Sequence, residues 1–97
     1  MQTRFQVHPD ASPALPPYVR LQFDELRQKW VVLAPERVLW PDDVSVDILK
    51  LCDGTLTLEK IVERLAQDYG ADHGEISADV TEFLQDWADQ RLLVGAA

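Results

Sequence analysis

The hydrophobic period of this chain changes once, at Pro41, and that change limits what it can fold into. Before Pro41, apolar residues recur at every second position in short runs; after it they recur every three or four. Tyr18-Val19-Arg20-Leu21-Gln22-Phe23 alternates, with Val19, Leu21 and Phe23 on one side. Trp30-Val31-Val32-Leu33 is rich in aromatic and β-branched residues and reads as the return strand of a hairpin. Pro35-Glu36 turns the chain into a third run, Arg37-Val38-Leu39-Trp40. Pro41 ends that run, because proline has no N–H to give to a ladder.

Helical patterns fill the rest. Asp42 and Asp43 place negative charge at a helix start, where unpaired N–H groups favour it. This helix is expected to run to about Cys52, burying Val44, Ile48, Leu49 and Cys52, with Asp53-Gly54 as its stop. Thr57 can cap a second helix, whose Leu58, Ile61, Val62, Leu65 and Tyr69 share a face and which Gly70 ends. Asp72-x-x-Glu75 has the form of a capping box for a third, carrying Ile76, Val80, Phe83, Leu84 and Trp87. Arg91 stands near its C-terminus, the end that favours a cation, and Leu92-Leu93-Val94 is a short terminal extension. Strands first and helices afterwards, with no βαβ alternation, define an α+β fold: an N-terminal three-stranded antiparallel sheet followed by three helices. The Asp53–Leu56 corner between two helices makes it winged-helix-like. Residues 1–17, with Pro9, Pro13, Pro16 and Pro17, read as a flexible arm before a domain at 18–97. Phe5 and Val7 give that arm something to bury on a neighbouring subunit.

Composition removes several functions. No run approaches the roughly 18 apolar residues of a membrane span. Met1-Gln2-Thr3-Arg4-Phe5 has no apolar signal core, and the single Cys52 excludes an internal disulfide; both fit the cytoplasm. Residues 1–40 hold five basic and four acidic side chains, whereas residues 41–97 hold four basic and thirteen acidic. Such a helical half repels phosphate backbones and suits either a basic partner or plain solubility. The four glycines are scattered, so no phosphate loop exists. His73 with Asp72 and Glu75 is the one cluster of potential metal ligands, and its spacing matches a capped helix start better than a tetrahedral site. Cys52 sits on an apolar face, where a thiol is usually inert. Neither a catalyst nor a cofactor site is evident. A winged-helix DNA reader is disfavoured too, because Lys60 and Arg64 stand among Glu59, Glu63 and Asp68.

What remains is a surface that could bind chain. The run Arg37, Val38, Leu39, Trp40 is an edge, kept short by Pro35 and Pro41. An extended peptide beside it would gain backbone hydrogen bonds from the strand and pockets from a neighbouring helix. The stripe Val80, Phe83, Leu84, Trp87 is either core or, along one flank, the wall of that groove.

Five segments also resemble one family. Tyr18-x-Arg20-Leu21, Val32-Leu33-x-Pro35-Glu36, Ile48-Leu49-x-Leu51-x-Asp53-Gly54, Ile61-Val62-x-x-Leu65 and Val80-x-x-Phe83-Leu84 are similar, in order and spacing, to the PqqD proteins of pyrroloquinoline quinone (PQQ) biosynthesis. The resemblance implies a peptide chaperone that binds the ribosomal precursor PqqA and presents it to PqqE, a radical S-adenosylmethionine enzyme. It further implies a peptide lying along Arg37–Trp40 and against Val80, Phe83, Leu84 and Trp87. The chain departs from the family at Pro41-Asp42, where Leu-Asn is usual, and at Thr55, where a basic residue is common. A peptide-binding domain of another modified-peptide pathway is the alternative, and a homodimer through arm or edge is a further expectation.

Overall fold

The computed structural model describes residues 6–96, with the Ala96 side chain left aside; Phe5, assigned to the arm, lies outside them. Strands β1 (Ser12–Ala14), β2 (Arg20–Asp24), β3 (Lys29–Ala34) and β4 (Arg37–Leu39) precede helices α1 (Asp43–Lys50), α2 (Leu58–Tyr69) and α3 (His73–Asp89), and β5 (Val94–Ala96) closes the chain. β2, β3 and β4 form the expected antiparallel sheet in sequence order, followed by three helices: an α+β, winged-helix-like arrangement. No helix among the described residues is long and apolar enough to cross a membrane.

Each helix starts on a side-chain cap. Asp42 Oδ1 accepts from the Ser45 N–H at 2.8 Å, Thr57 Oγ1 from Lys60 at 3.2 Å, and Asp72 Oδ2 from Glu75 at 3.1 Å. Asp42 therefore does the work of the asparagine usual in the family. Thr55 turns inward to its own loop, its N–H and hydroxyl both donating to Asp53 Oδ1.

The segment expected to be a free arm is corrected for residues 6–17, because it packs. Val7, Pro13 and Pro16 are buried, and β1 pairs antiparallel with β5, a second sheet that the sequence reading lacked. The physical reason is the N-terminus of α2. Its first N–H groups have no partner within the helix, and they donate to this segment, Leu58 to the Ala11 carbonyl at 2.8 Å and Glu59 to that of Pro9 at 3.0 Å. The Gly54 N–H donates to the Pro13 carbonyl at 3.0 Å from a backbone at φ 85°, a region that glycine enters without strain. Val7 gives its N–H to Gln85 of α3.

The core unites Val19 and Val32 with Ile48, Leu49, Cys52, Leu58, Ile61, Val62, Leu65, Val80, Leu84, Trp87, Leu92 and Leu93. Two side chains expected in apolar stripes, Val44 and Tyr69, lie elsewhere. Val44 is exposed, and Val46 takes its buried place beside Phe23, Trp30 and Trp40 at the end of the sheet. The cause is phase: α1 begins at Asp43 and ends at Lys50, so Cys52 reaches the core from beyond the helix. Tyr69 lies exposed and donates its hydroxyl to Asp47, which pushes its pKa up to about 12. Trp30 is half-buried on the inner sheet face, with the Phe23 ring edge-on at 5.5 Å and Lys50 Nζ 4.4 Å from its centroid.

Truncating residues 1–14 should lower unfolding stability by at least about 2 kcal/mol, since α2 loses two capping acceptors and the core loses Val7 and Pro13. Urea midpoints check this; a frayed arm would leave them unchanged.

Candidate functional site

Among the described residues, β4 has a strand neighbour on one side only, β3, and its other edge is open. Pro35-Glu36 makes the two-residue link between the closing pair Ala34 and Arg37, with Glu36 in the left-handed region at φ 59°. A closing pair of that kind is hydrogen-bonded, and antiparallel pairs then alternate. Leu33 opposite Val38 is therefore a non-bonded pair, and the Val38 N–H and C=O point away from β3, towards the open edge. One residue of this short strand thus offers both backbone groups to an incoming chain.

Strand alternation splits the expected site between two faces. Arg37 and Leu39 share the inner face with Val32, on the core side; Val38 and Trp40 lie on the outer face with Val31 and Leu33. Leu39 packs half-buried against the core, while Val38 is exposed. Trp40 has Arg27 5.6 Å from its ring centroid.

α3 supplies the neighbouring wall. Val80, Leu84 and Trp87 are buried in the core, Leu84 completely. Phe83 is half-buried, its ring 5.3 Å from that of Trp87, and with Asp79, Glu82 and Asp86 it lines a shallow concavity of about 440 Å³. One flank of the helix carries Asp79, Phe83, Asp86 and Gln90 at helical spacing. Arg37 donates to Gln90 Oε1 at 2.7 Å, and Gln90 donates to Asp86 Oδ2 at 3.0 Å. That relay fixes the open edge beside the Phe83 flank. The structure therefore links Arg37 through Gln90 and Asp86 to the Phe83 flank, packs Leu39 against the core, sets Val38 and Trp40 on the other sheet face, and places Val80, Leu84 and Trp87 beneath the surface. Gln90 escaped the sequence reading; its spacing of seven from Phe83 was the available signal.

The groups with a capacity for other chemistry have structural partners. Burial, reinforced by Asp53, pushes the Cys52 thiol up to about 12, and its S–H faces the Ile48 carbonyl at 3.3 Å, so no thiolate nucleophile forms near neutrality. Asp72 caps α3. Lys60 pairs with Glu63 at 3.3 Å and Arg64 with Asp68 at 3.6 Å, which offsets the cations a DNA-reading helix would need. Among the described residues, no group of three or more His, Cys, Asp or Glu could hold a metal ion.

Fold and site together define a class: small α+β recognition domains that set an open strand edge beside a helix. The chain belongs to the PqqD family, since the family profile described as "Coenzyme PQQ synthesis protein D (PqqD)" matches residues 29–93. A relative from Rhodopseudomonas palustris (strain BisB5), called "PqqA binding protein", is 55% identical over 84 residues, covering 87% of this chain and 82% of its own. Another so named, from Bradyrhizobium diazoefficiens, is 44% identical over 84 residues, with the same 87% and 82% coverage. Among solved structures, the PqqD truncation of Methylobacterium extorquens PqqCD, described as a stand-alone recognition element for ribosomally synthesized and post-translationally modified peptides, is 48% identical with a TM-score of 0.70, over 84% of this chain and 86% of that one. The crystal structure of PqqD from Xanthomonas campestris is 42% identical with a TM-score of 0.56, over 89% and 96%.

Three carboxylates titrate low. Asp24 accepts from the Arg27 backbone and is paired with its guanidinium, Asp42 accepts from the Ser45 N–H, and Asp53 from the Thr55 hydroxyl and N–H; each is held below the ordinary 3.8. A depressed folded pKa adds stability above the unfolded value, and that contribution disappears as pH falls through the folded one. Carboxyl-carbon NMR titration should show these three moving at lower pH than an ordinary exposed aspartate, with stability flat above about pH 5 and falling below pH 4.

Proposed function

We propose that this chain is a non-catalytic peptide-binding element of PQQ biosynthesis, acting in the cytoplasm. It takes up the precursor peptide PqqA by strand addition at β4 and presents it to the radical S-adenosylmethionine enzyme PqqE, to which the bond-forming chemistry belongs. The observation that carries the reading is the open β4 edge, whose Val38 N–H and C=O face outward while Arg37, through Gln90, holds it beside the half-exposed Phe83. Relatives called "PqqA binding protein" support the same peptide. Arg37, Val38, Leu39 and Trp40 supply the edge. Phe83 is the anchor on the helix, with Val80, Leu84 and Trp87 holding it from below. The acidic side chains beside Phe83 favour a basic stretch in the peptide.

The same open edge can pair with a second copy, which makes an edge-paired homodimer the state that competes with peptide.

Backbone amide shifts of labelled protein titrated with synthetic PqqA, at two salt concentrations, test this. Shifts concentrated in Arg37–Trp40 and along α3 are expected; no shift at saturating peptide would overturn it. Phe83→Ala should weaken binding by about 1–3 kcal/mol and cost less folding stability than a fully buried position would. Trp87→Ala should instead cost about 3–5 kcal/mol of folding stability, read from denaturant midpoints.

A further inference from the structure

The outer face of the β2–β3–β4 sheet is apolar on one half only. One row across the strands runs Arg20, Leu33, Val38; the next runs Gln22, Val31 and, one residue past the register, Trp40. Polar side chains cover the β2 side, while aliphatic and aromatic ones border the open edge. A sheet face in water is ordinarily polar, and natural proteins usually guard open edges with charge. Here Val31 is only 3% exposed although it stands outside the main core, whereas Val38 and Trp40 remain 58% and 47% exposed. Val31, Leu33, Val38 and Trp40, with Gln22, Asp24 and Arg27 along the β2 side, line a shallow concavity of about 370 Å³.

We propose that this half-face is the second wall of the peptide site, so that a strand added to β4 is read on both of its faces. The inference rests on strand addition as the binding mode. A residue placed opposite Val38 shares its face and packs against Val38 and Trp40. The residues on either side of it point the other way, towards Leu39 and the Phe83 flank. A strand covered on both faces is an unbroken apolar run and not an alternating one. The preferred occupant is therefore an extended segment of the precursor with about three consecutive apolar residues. Charge separates its flanks. Arg20, Lys29 and Arg27 outnumber Asp24 on the outer face, whereas Asp79, Glu82 and Asp86 surround Phe83. Acidic flanking residues suit the outward set and basic ones the inward set.

The test is Val38→Thr, a β-branched exchange at an exposed position that leaves the strand and its turn intact. Affinity for synthetic PqqA is measured by calorimetry beside Phe83→Ala and Gln67→Ala, the latter an exposed position on α2 away from the sheet. Val38→Thr should weaken binding at least about fivefold, because a hydroxyl replaces a methyl group against an apolar partner. Gln67→Ala should bind like the parent, and intermolecular NOEs should connect peptide side chains to the Val38 and Leu33 methyl groups. If Val38→Thr stays within about twofold of the parent while Phe83→Ala weakens binding, the outer wall is refuted and strand addition stands. If the parent itself shows no binding, or neither variant changes it, strand addition falls, and the second wall with it.

Discussion

Everything in this molecule depends on how the α3 helix divides its circumference. A stripe of Val80, Leu84, Trp87 and Ala88 is buried and closes the core against the sheet and α2. The two flanking stripes do different work. One receives the N-terminal segment, through Gln85 and the Val7 N–H; the other receives the edge strand, through Gln90 and Arg37. With 3.6 residues per turn, a helix can serve three neighbours only if each claims a narrow arc. Phe83 stands at the border between the buried arc and the edge-strand arc, which explains why it is half-exposed while the next residue, Leu84, is completely enclosed.

The parts of this arrangement that are local were legible in the sequence. Asp42, Thr57 and Asp72 are caps because each is a short polar acceptor just ahead of an apolar-periodic run, and the structure places each as a cap. The three-stranded sheet and the order of strands and helices follow from the change in period. The β1–β5 pairing was not legible, since Ser12-Pro13-Ala14 is too short for any period and its partner lies at the far end of the chain. The misplacement of Val44 has a related cause: an eight-residue helix fits more than one phase, and the choice of Val46 comes from the aromatic end of the sheet. The edge strand itself could be read from Pro35 and Pro41. Its attachment to α3 could not, because an Arg–Gln hydrogen bond across 53 residues leaves no mark on either local pattern.

The balance between openness and protection at β4 also has a physical basis. A long open edge would invite pairing without limit, whereas a three-residue strand ended by Pro41 offers few backbone groups. Affinity then has to come from side chains as well as from the ladder. The acidic charge on α3 is consistent with this economy, since it discourages a second copy's α3 from approaching while attracting cations.

The pairing of β1 with β5 brings Ser12 beside Ala96 and Ala14 beside Val94. The last strand of the chain is therefore clasped to the same segment whose Pro9 and Ala11 carbonyls cap α2. Losing Val94–Ala96 would thus be felt at the far side of the clasp, because β1 would lose its ladder partner and the caps on α2 would be held less firmly.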